Sequence, residues 1–515
     1  MQRKAEVSAT VSALMGLLLL LLLPGCDGGG EEATPSSTAA ASPTAEAGDL
    51  TATPLNGASI VVDSTADSDA RDGALTLREA MGLATGELTA AGLDPAEADN
   101  ISGTPGPESA DSITFDPSLF PADAPATISL TSTLPALGTD GDSVDGSGSG
   151  AIIDGGSQGV DCFQVDSDGN AIRGLQIQNC RTAIVLGGTA ENNTIGGSAE
   201  DDRNVIGPND GVGVGIHGDG NVVQGNYIGT DVGGTESRSN RMEGIWIAPG
   251  AENNVIGGSN PGEGNLIAGN NLFGINIDGV GARGNVVKGN YIGVDASGRF
   301  PLKNRYGLVL GGGAQNNIIG GRESGEANVI SGNQSAGMLI RGSGTSGNVI
   351  KGNFIGPDSA GEKELRQGTG IWMLEGAQGN VIGGTEEGEG NIIAHSGTVG
   401  VLIDGADTTG NTIRGNSIRS DGRNAIVTKN GGNLGLAQPT IGSAGPLRVT
   451  ACAGCTVDVY SGSEESQVYE GSTTADATGA FTFDGALSGS LVTATATDAG
   501  GNTSPYSEPF AAPGG

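Results

Sequence analysis

The sequence has two tryptophans, Trp246 and Trp372, and each stands in a short run of alternating apolar residues. Alternation with period two is typical of a strand, so the neighbouring isoleucines should face inward and both indole rings outward. The segments ahead of such runs carry Arg241, Arg305 and Arg366. Aromatic rings stack on sugars and guanidinium groups pair with carboxylates, so the pattern predicts binding of a sugar chain that carries carboxylates. The alternative is that each tryptophan packs under its own loop and that the arginines pair with nearby acids.

Three aspartates, Asp231, Asp295 and Asp358, recur at intervals of 64 and 63 residues, each shortly after a short apolar run. Carboxylate oxygens in loops are ligands that Ca²⁺ prefers, so these positions predict a calcium site. Aspartate is also a common turn former, and this second interpretation stays open. Calcium is the one cofactor that the sequence indicates.

The side chains of general catalysis are sparse. The two histidines, His217 and His395, stand in no cluster with metal-ligand spacing, and no Ser-His-Asp or Cys-His arrangement is evident. When the repeats are aligned, His217, Asp278, Arg341 and Asp404 share one column, on every second turn of the chain. Neighbours in that column would lie about 10 Å apart, which is too far for a catalytic pair. We interpret the column as a solvated edge, and the catalytic residues stay unknown.

Five cysteines are present. If the chain is exported, Cys162 and Cys180 should form one disulfide and Cys452 and Cys455 a second. A redox or zinc motif at Cys452-Ala-Gly-Cys455 is disfavoured because no second ligand pair follows it. The fifth cysteine, Cys26, follows a leucine-rich segment.

The residues above are positioned by a repeat. The phrase Gly-Asn-Tyr-Ile and its variants begin at Gly225, Gly289, Gly352 and Gly415. A second phrase, Asn-Val/Ile-Ile-Gly-Gly or a close variant, begins at Asn193, Asn254, Asn317 and Asn380. Within each unit of about 63 residues the apolar runs are short and alternate, which predicts many short strands separated by turns.

The strands fall into three classes in a fixed cyclic order. Class A strands follow the asparagines of the first phrase, class B strands have the pattern Gly-Ile-x-Ile, and class C strands follow the asparagines of the second phrase. One A-B-C circuit makes one coil, so the 63-residue unit is two coils with different loops. Three parallel sheets wound in this way predict an all-β right-handed parallel β-helix of about ten coils, with the asparagines as stacked turn residues.

Two segments resemble a known family. Leu75-Thr-Leu-Arg-Glu-Ala80 is similar to the Cys-Ser-Leu-Arg-Glu-Ala segment of bacterial surface β-helix proteins, with leucine in place of the cysteine. The repeats resemble that family's Asn-Tyr-Ile-Gly-Thr-Asp type, as at Asn226 to Asp231, and the likeness covers about residues 58–433. It implies the pectin-lyase-like fold, with a short helix that plugs the first coil. Thr76 and Glu79 are spaced as a capping box for that helix.

The first residues predict export. Arg3 and Lys4 precede the leucine-rich core, and Leu23-Pro-Gly-Cys26 resembles the lipobox of bacterial lipoproteins, which implies lipidation at Cys26. We therefore expect a signal peptide at 1–25, a flexible linker at 26–57, a cap with the first coils at 58–150 and the β-helix at 151–433. Alternating strands after Leu434 predict a β-sandwich at 434–515, whose Val492 to Ser504 phrase resembles bacterial Ig-like modules.

The net charge of −35 argues against nucleic acid as a partner. The predicted protein is an extracytoplasmic monomer, anchored to a membrane by its lipid. Our first hypothesis is a non-catalytic glycan-binding or adhesin-like surface protein. The alternative is a lyase or hydrolase of acidic polysaccharide, although the carboxylate motifs of β-helix hydrolases are absent. A purely structural spacer is the third option.

Overall fold

The computed structural model describes residues 57–420, 425–444, 447–463 and 466–512. Its architecture is a right-handed parallel β-helix with a helical cap near its start and a β-sandwich at its end, which confirms the predicted fold class. The predicted signal peptide and nearly all of the predicted linker, including Cys26, lie outside the described residues. No helix in the described ranges combines the length and apolarity that a membrane crossing requires.

The class C strands form one sheet with a parallel ladder that begins well before residue 151. One short strand, Ile101–Ser102, joins this ladder antiparallel at its first strand. The parallel strands are Ser59–Val62, Ser112–Phe115, Ser143–Asp145, Ala171–Arg173, Thr194–Gly196, Val222–Gln224, Val255–Gly257, Val286–Lys288, Ile318–Gly320, Val349–Lys351, Val381–Gly383 and Thr412–Arg414.

Class A and class B strands make the other two walls, and they are hydrogen-bonded into one continuous sheet. Class A consists of Ala126–Ser129, Ala151–Asp154, Gln176–Gln178, Val205–Ile206, Tyr227–Ile228, Leu266–Ile267, Tyr291–Ile292, Val329–Ile330, Phe354–Ile355, the beginning of Ile392–Asp404, and Ser417–Ser420. Class B consists of Phe163–Val165, Ile184–Leu186, Val214–Ile216, Ile245–Ile247, Phe273–Asp278, Tyr306–Gly311, Ala336–Arg341, Gln367–Leu374, the end of Ile392–Asp404, and Ile426–Lys429.

The register explains why these short runs form strands. Ile245 lies opposite Ile275, and Ile247 lies opposite Ile277, so identical inward side chains stack along the axis. All four are fully buried. Because one residue of slip would turn every one of these side chains to solvent, the buried stacks fix the register of each coil.

Ladders of stacked asparagines supply hydrogen bonds to the polar groups of the turns between the walls. In the class C ladder, Asn254 donates its side-chain and backbone N–H groups to the Oδ1 of Asn285, at 3.0 and 2.9 Å. The class A ladder repeats this pattern, as from Asn265 to Asn290. A third ladder at the corner between classes A and B was not predicted, and it contains Asn209, Asn240, Asn270, Asn304 and Asn333. The stacked amides bind buried backbone groups that no strand partner reaches.

The first coil is covered by a helix, Leu77–Ala84, whose Thr76 and Glu79 form the capping box. Its Leu77 and Met81 are fully buried, as is Leu75 ahead of the helix. The remaining helical segments are Pro95–Ala98, Ala90–Gly92, Glu200–Asp202 and Gly432–Gly435. The apolar side of this α-helix covers the open end of the β-helix and shields its core from solvent.

The C-terminal sandwich has two antiparallel sheets with their own core. One sheet has strands Thr440–Ala444, Leu447–Thr450 and Ala480–Phe483, and the other has Ser466–Thr474, Thr456–Ser463, Leu491–Thr497 and Phe510–Ala511. The sandwich docks on the last class C strand. There the backbone N–H of Ile413 donates to Thr503 Oγ1 at 2.9 Å, and Arg414 forms two 2.7 Å hydrogen bonds with the buried carboxylate of Asp458.

Candidate functional site

The outward side chains of the class B strands form a surface that we call the B face. Trp246 lies on this face between Gly215 and Asn276 of the adjacent coils. Trp372 lies on the same column four coils later, between Leu339 and Leu402. Both tryptophans are half-buried, and the indole Nε1 of Trp372 is buried without a hydrogen-bond partner. The structure therefore places both rings on the outward side of the strands, partly covered by their neighbours.

Trp246 contacts His217 of the preceding coil. The two rings meet edge to face with centroids 5.1 Å apart. Burial lowers the pKa of His217, so the imidazole is neutral at physiological pH. A neutral imidazole against an indole gives an aromatic surface with one polar edge, a combination that suits sugars, whose rings have apolar faces and hydroxyl rims.

Beside Trp246 is a polar pair that sequence reasoning missed, Glu243 of the same coil and Asn276 of the next coil. Glu243 and Asn276 are each only 7% exposed. Burial raises the pKa of Glu243, hydrogen bonds from its own backbone and from the Asn276 side chain lower it, and the nearby charge of Asp278 raises it, with a net upward shift. The Oδ1 of Asn276 is buried without a partner. This pair supplies hydrogen-bonding groups beside an aromatic ring.

A second aromatic pair continues the B face. Phe273 and Tyr306 lie opposite each other on adjacent coils, with ring centroids 5.8 Å apart. The guanidinium of Arg305 lies 5.7 Å from the centroid of Tyr306. The residues from His217 to Tyr306 thus give four consecutive coils with ring or amide side chains on one face.

The predicted arginines have their own partners at the corner between classes A and B. Arg241 pairs with Asp210 at 3.4 Å, and Arg366 pairs with Glu364 at 2.5 Å. These two pairs correspond to the alternative in which the arginines pair with nearby acids, whereas Arg305 contacts Tyr306. The ionisable groups nearest to Trp246 on the B face are instead Glu243, Asp278 and His217. The local chemistry at Trp246 therefore favours hydroxyl-rich sugar units over carboxylate-bearing ones.

The three aspartates considered for calcium each belong to a separate turn. Asp231 Oδ1 accepts the backbone N–H groups of Thr235 and Glu236, both at 2.8 Å. Asp295 and Asp358 accept the equivalent N–H groups of their own turns. Partial burial opposes ionisation of Asp231, but the backbone hydrogen bonds outweigh it and lower its pKa. No group of three or more His, Cys, Asp or Glu side chains with metal-binding geometry occurs in the described ranges. The geometry corresponds to the turn-forming alternative and gives the calcium prediction no support.

The column of His217, Asp278, Arg341 and Asp404 stands on every second class B strand. Asp278 lies opposite Gly311, and Asp404 lies opposite Lys429. Asp404 also accepts a 2.7 Å hydrogen bond from Asn430. Asp278 and His217 border the B face, whereas Asp404 belongs to a polar edge near the last coil.

Two disulfides are present. Cys162 joins Cys180 of the next coil at the corner between classes A and B, and both residues are fully buried. Cys452 joins Cys455 in the turn between the strands Leu447–Thr450 and Thr456–Ser463. The first disulfide therefore ties two adjacent coils together, and the second closes a local turn of the sandwich.

No protein-family model and no curated protein sequence matches the chain. Among solved structures, the mannuronan C-5 epimerase A-module of Azotobacter vinelandii is 14% identical, over 63% of this chain and 84% of that one, with a TM-score of 0.29. The tailspike protein of Escherichia coli bacteriophage HK620, solved in complex with a pentasaccharide, is 11% identical over 79% of both chains, with a TM-score of 0.31. The tailspike protein 2 of bacteriophage CAB120 is 11% identical over 79% of this chain and 56% of that one, with a TM-score of 0.20. The chain itself is a right-handed parallel β-helix by its own strand pairing.

Proposed function

We propose that the protein is a non-catalytic glycan-binding protein that holds a saccharide chain along its B face. The observation that carries the proposal is the packing of Trp246 against His217 beside the buried pair Glu243 and Asn276. A sugar ring would stack on the half-exposed indole while its hydroxyl groups exchange hydrogen bonds with the exposed imidazole of His217. The next aromatic pair, Phe273 and Tyr306, lies one and two coils further on, at steps of about 4.8 Å, so a chain could continue along the axis.

The experiment is affinity electrophoresis of the purified chain in gels that contain neutral, amino-sugar or acidic polysaccharides. We expect retardation by at least one polysaccharide, and we expect it to fall about tenfold in Trp246→Ala, because a stacked aromatic ring contributes on the order of 1–2 kcal/mol. Trp372→Ala should weaken retardation less, since its ring lies between two leucines. Phe300→Ala is the matched control, because Phe300 is an exposed aromatic outside the class B strands. Equal retardation of Trp246→Ala and the parent chain would refute the B face as the binding surface.

A hydrolase is the second candidate, and the raised pKa of Glu243 beside Asp278 is the observation that favours it. A raised pKa favours the protonated form of a carboxyl group, which is the form that can protonate a glycosidic oxygen. New reducing or unsaturated chain ends are therefore scored in the same incubations. Release of reducing ends that disappears in Glu243→Gln would replace the binding function by hydrolysis. No release leaves the non-catalytic proposal standing.

We further propose that the protein is exported and carries a lipid on Cys26, on the basis of the lipobox-like segment alone. Metabolic labelling with a palmitate analogue should label the parent chain, and Cys26→Ser should lose the label and leave the membrane fraction. Cys162→Ser serves as the control, because it removes a different cysteine and should keep the label. Membrane association of Cys26→Ser equal to that of the parent would rule out the anchor.

A further inference from the structure

A cleft of about 490 Å³ lies on a different wall from the B face, where the loops between classes C and A meet the outward side of class A. Its lining includes Arg203, Tyr227, Leu266, Tyr291, Asn260 and Ser324. The volume falls in the range of about 300–1,000 Å³ that is usual for small-ligand sites. Tyr227, Leu266 and Tyr291 lie opposite one another on successive coils, so the two phenol rings are two coils, about 10 Å, apart.

The first half of the cleft is already occupied by the protein's own side chain. The guanidinium of Arg203 lies 4.0 Å from the centroid of the Tyr227 ring. Its Nε is buried without a hydrogen-bond partner, and its ion pair with Glu200 is a loose 3.6 Å contact to a side chain that is 86% exposed. Arg203 is therefore held in place by stacking, and its loose ion pair with an exposed side chain leaves the guanidinium able to pair with another carboxylate.

The repeat shows why the second half is open. The residue that corresponds to Arg203 in the next two-coil unit is Gly264, and the ring that corresponds to Tyr227 is Tyr291. A Cβ at position 264 would overlap the carbonyl oxygen of Gly289, so only glycine fits there. No side chain can therefore extend from position 264 over Tyr291 as Arg203 extends over Tyr227, and Tyr291 lines the cleft.

The charge of the lining identifies the kind of ligand. Arg203 is the one charged residue of the lining. The remaining groups are the two phenol rings, two asparagines, two serines, the apolar side chains of Leu266, Pro261 and Ala296, and glycine backbone. An aromatic surface suits a sugar ring, and a fixed guanidinium suits a carboxylate because its parallel N–H groups match the two oxygens.

We propose that this cleft binds a carboxylate-bearing sugar unit, with the ring on Tyr291 and Leu266 and the carboxylate on Arg203. The proposal rests on the glycan-binding function for its ligand class, but it uses a different surface from the B face. The sequence predicted binding of carboxylate-bearing sugars beside the tryptophans, and the proposal assigns that binding to the cleft instead.

The test is isothermal titration of the purified chain with trigalacturonate and with its neutral methyl ester. We expect the acid to bind and the ester to bind at least about tenfold more weakly, which is the effect of losing a charge-assisted pair. Arg203→Gln should weaken binding of the acid to the level of the ester. Ser324→Trp, at the exposed rim of the cleft, should abolish binding of both.

Arg322→Gln is the matched control, because Arg322 lies in a loop of the same kind, is 53% exposed and pairs with Glu323. Phe300→Ala, at an exposed aromatic that belongs neither to the lining of the cleft nor to a class B strand, should leave trigalacturonate binding unchanged. Equal binding of acid and ester, or binding that survives Ser324→Trp in a folded protein, would overturn the proposal. Loss in Ser324→Trp but not in Arg203→Gln would overturn the assignment of the carboxylate. Thermal unfolding of each variant checks that the chain is folded.

Discussion

Asp142 is a carboxylate in a ladder of amides. It continues the class C asparagine ladder toward the first coil, where Asp111 donates its N–H to Asp142 Oδ1 at 2.8 Å, and Asp142 donates its own N–H to Asn170 Oδ1 at 2.9 Å. It is fully buried, and burial raises its pKa to about 6, with further upward contributions from the charges of Asp111 and Asp140. An asparagine in the same place would have an amide N–H₂ to donate along the ladder, as Asn170 does to Asn193.

This residue predicts a pH-dependent stability. Because the folded pKa lies above the ordinary value of 3.8, protonation stabilises the fold; the gain is complete below 3.8 and is lost as the pH rises through about 6. Asp142→Asn should therefore raise the free energy of unfolding at pH 7.5 by up to about 3 kcal/mol and leave it nearly unchanged at pH 4. Urea unfolding at both pH values measures the difference. Asp140→Asn, an exposed neighbour, is the control, and an equal gain from it would contradict the explanation.

The asparagine ladders are the elements that connect the coils at their corners. Asn290 Oδ1 accepts the N–H and side-chain N–H of Asn265, and its own Nδ2 donates to the carbonyl of Ile256 at 2.8 Å and to Asn328 Oδ1 at 3.0 Å. Each of these partners is buried. Removing one amide thus leaves several polar groups of three coils without partners.

Asn290→Ala should lower the free energy of unfolding by about 3–5 kcal/mol, because each buried group left unpaired costs about 1–3 kcal/mol. The measurement is the urea midpoint at neutral pH. Asn271 is exposed and directly follows Asn270 of the third ladder, so Asn271→Ala should lower the free energy of unfolding by under about 1 kcal/mol. If both variants lost the same stability, the ladder would not be the reason.

Strands and turns could be predicted where a sequence phrase repeats. They could not be predicted where equivalent positions on successive coils carry different residue types. The inward isoleucines and the Asn-Tyr-Ile phrase recur at nearly constant intervals, so they predicted the three walls and their order. The third ladder is missed because Asn240 and Asn270 open no common phrase. The pair Glu243 and Asn276 is missed for a related reason, since the structural equivalent of Glu243 on the next coil is Phe273 and that of Asn276 is Trp246.

Side-chain contacts between neighbouring coils could not be predicted from the sequence either. Arg203 and Tyr227 are 24 positions apart and belong to different phrases, so nothing in the spacing predicts that the guanidinium covers the ring. The contacts of the arginines near the tryptophans could not be predicted either. These arginines are close in sequence to class B, but the corner between classes A and B turns Arg241 toward Asp210 of the preceding coil.

At the scale of the whole molecule, both ends of the rod are covered. The helix Leu77–Ala84 covers the start, and the sandwich covers the last class C strand through Thr503, Asp458 and Tyr460. Asp458 is fully buried and bonded twice to Arg414, so the sandwich is fixed to the rod by a paired charge as well as by backbone hydrogen bonds. A strand edge that would otherwise pair with another chain is thereby occupied.

The alternation of two coil types has a consequence for how such a molecule can change length. Because the columns of side chains repeat only after two coils, a genetic duplication or deletion of one 63-residue unit would preserve every ladder and every inward stack. The rod would gain or lose about 10 Å with its covered ends unaltered. A change of a single coil would instead bring unlike loops into contact. Recombination between units that share this framework can therefore alter the reach of the protein in whole steps, and each step adds or removes one position equivalent to Tyr291.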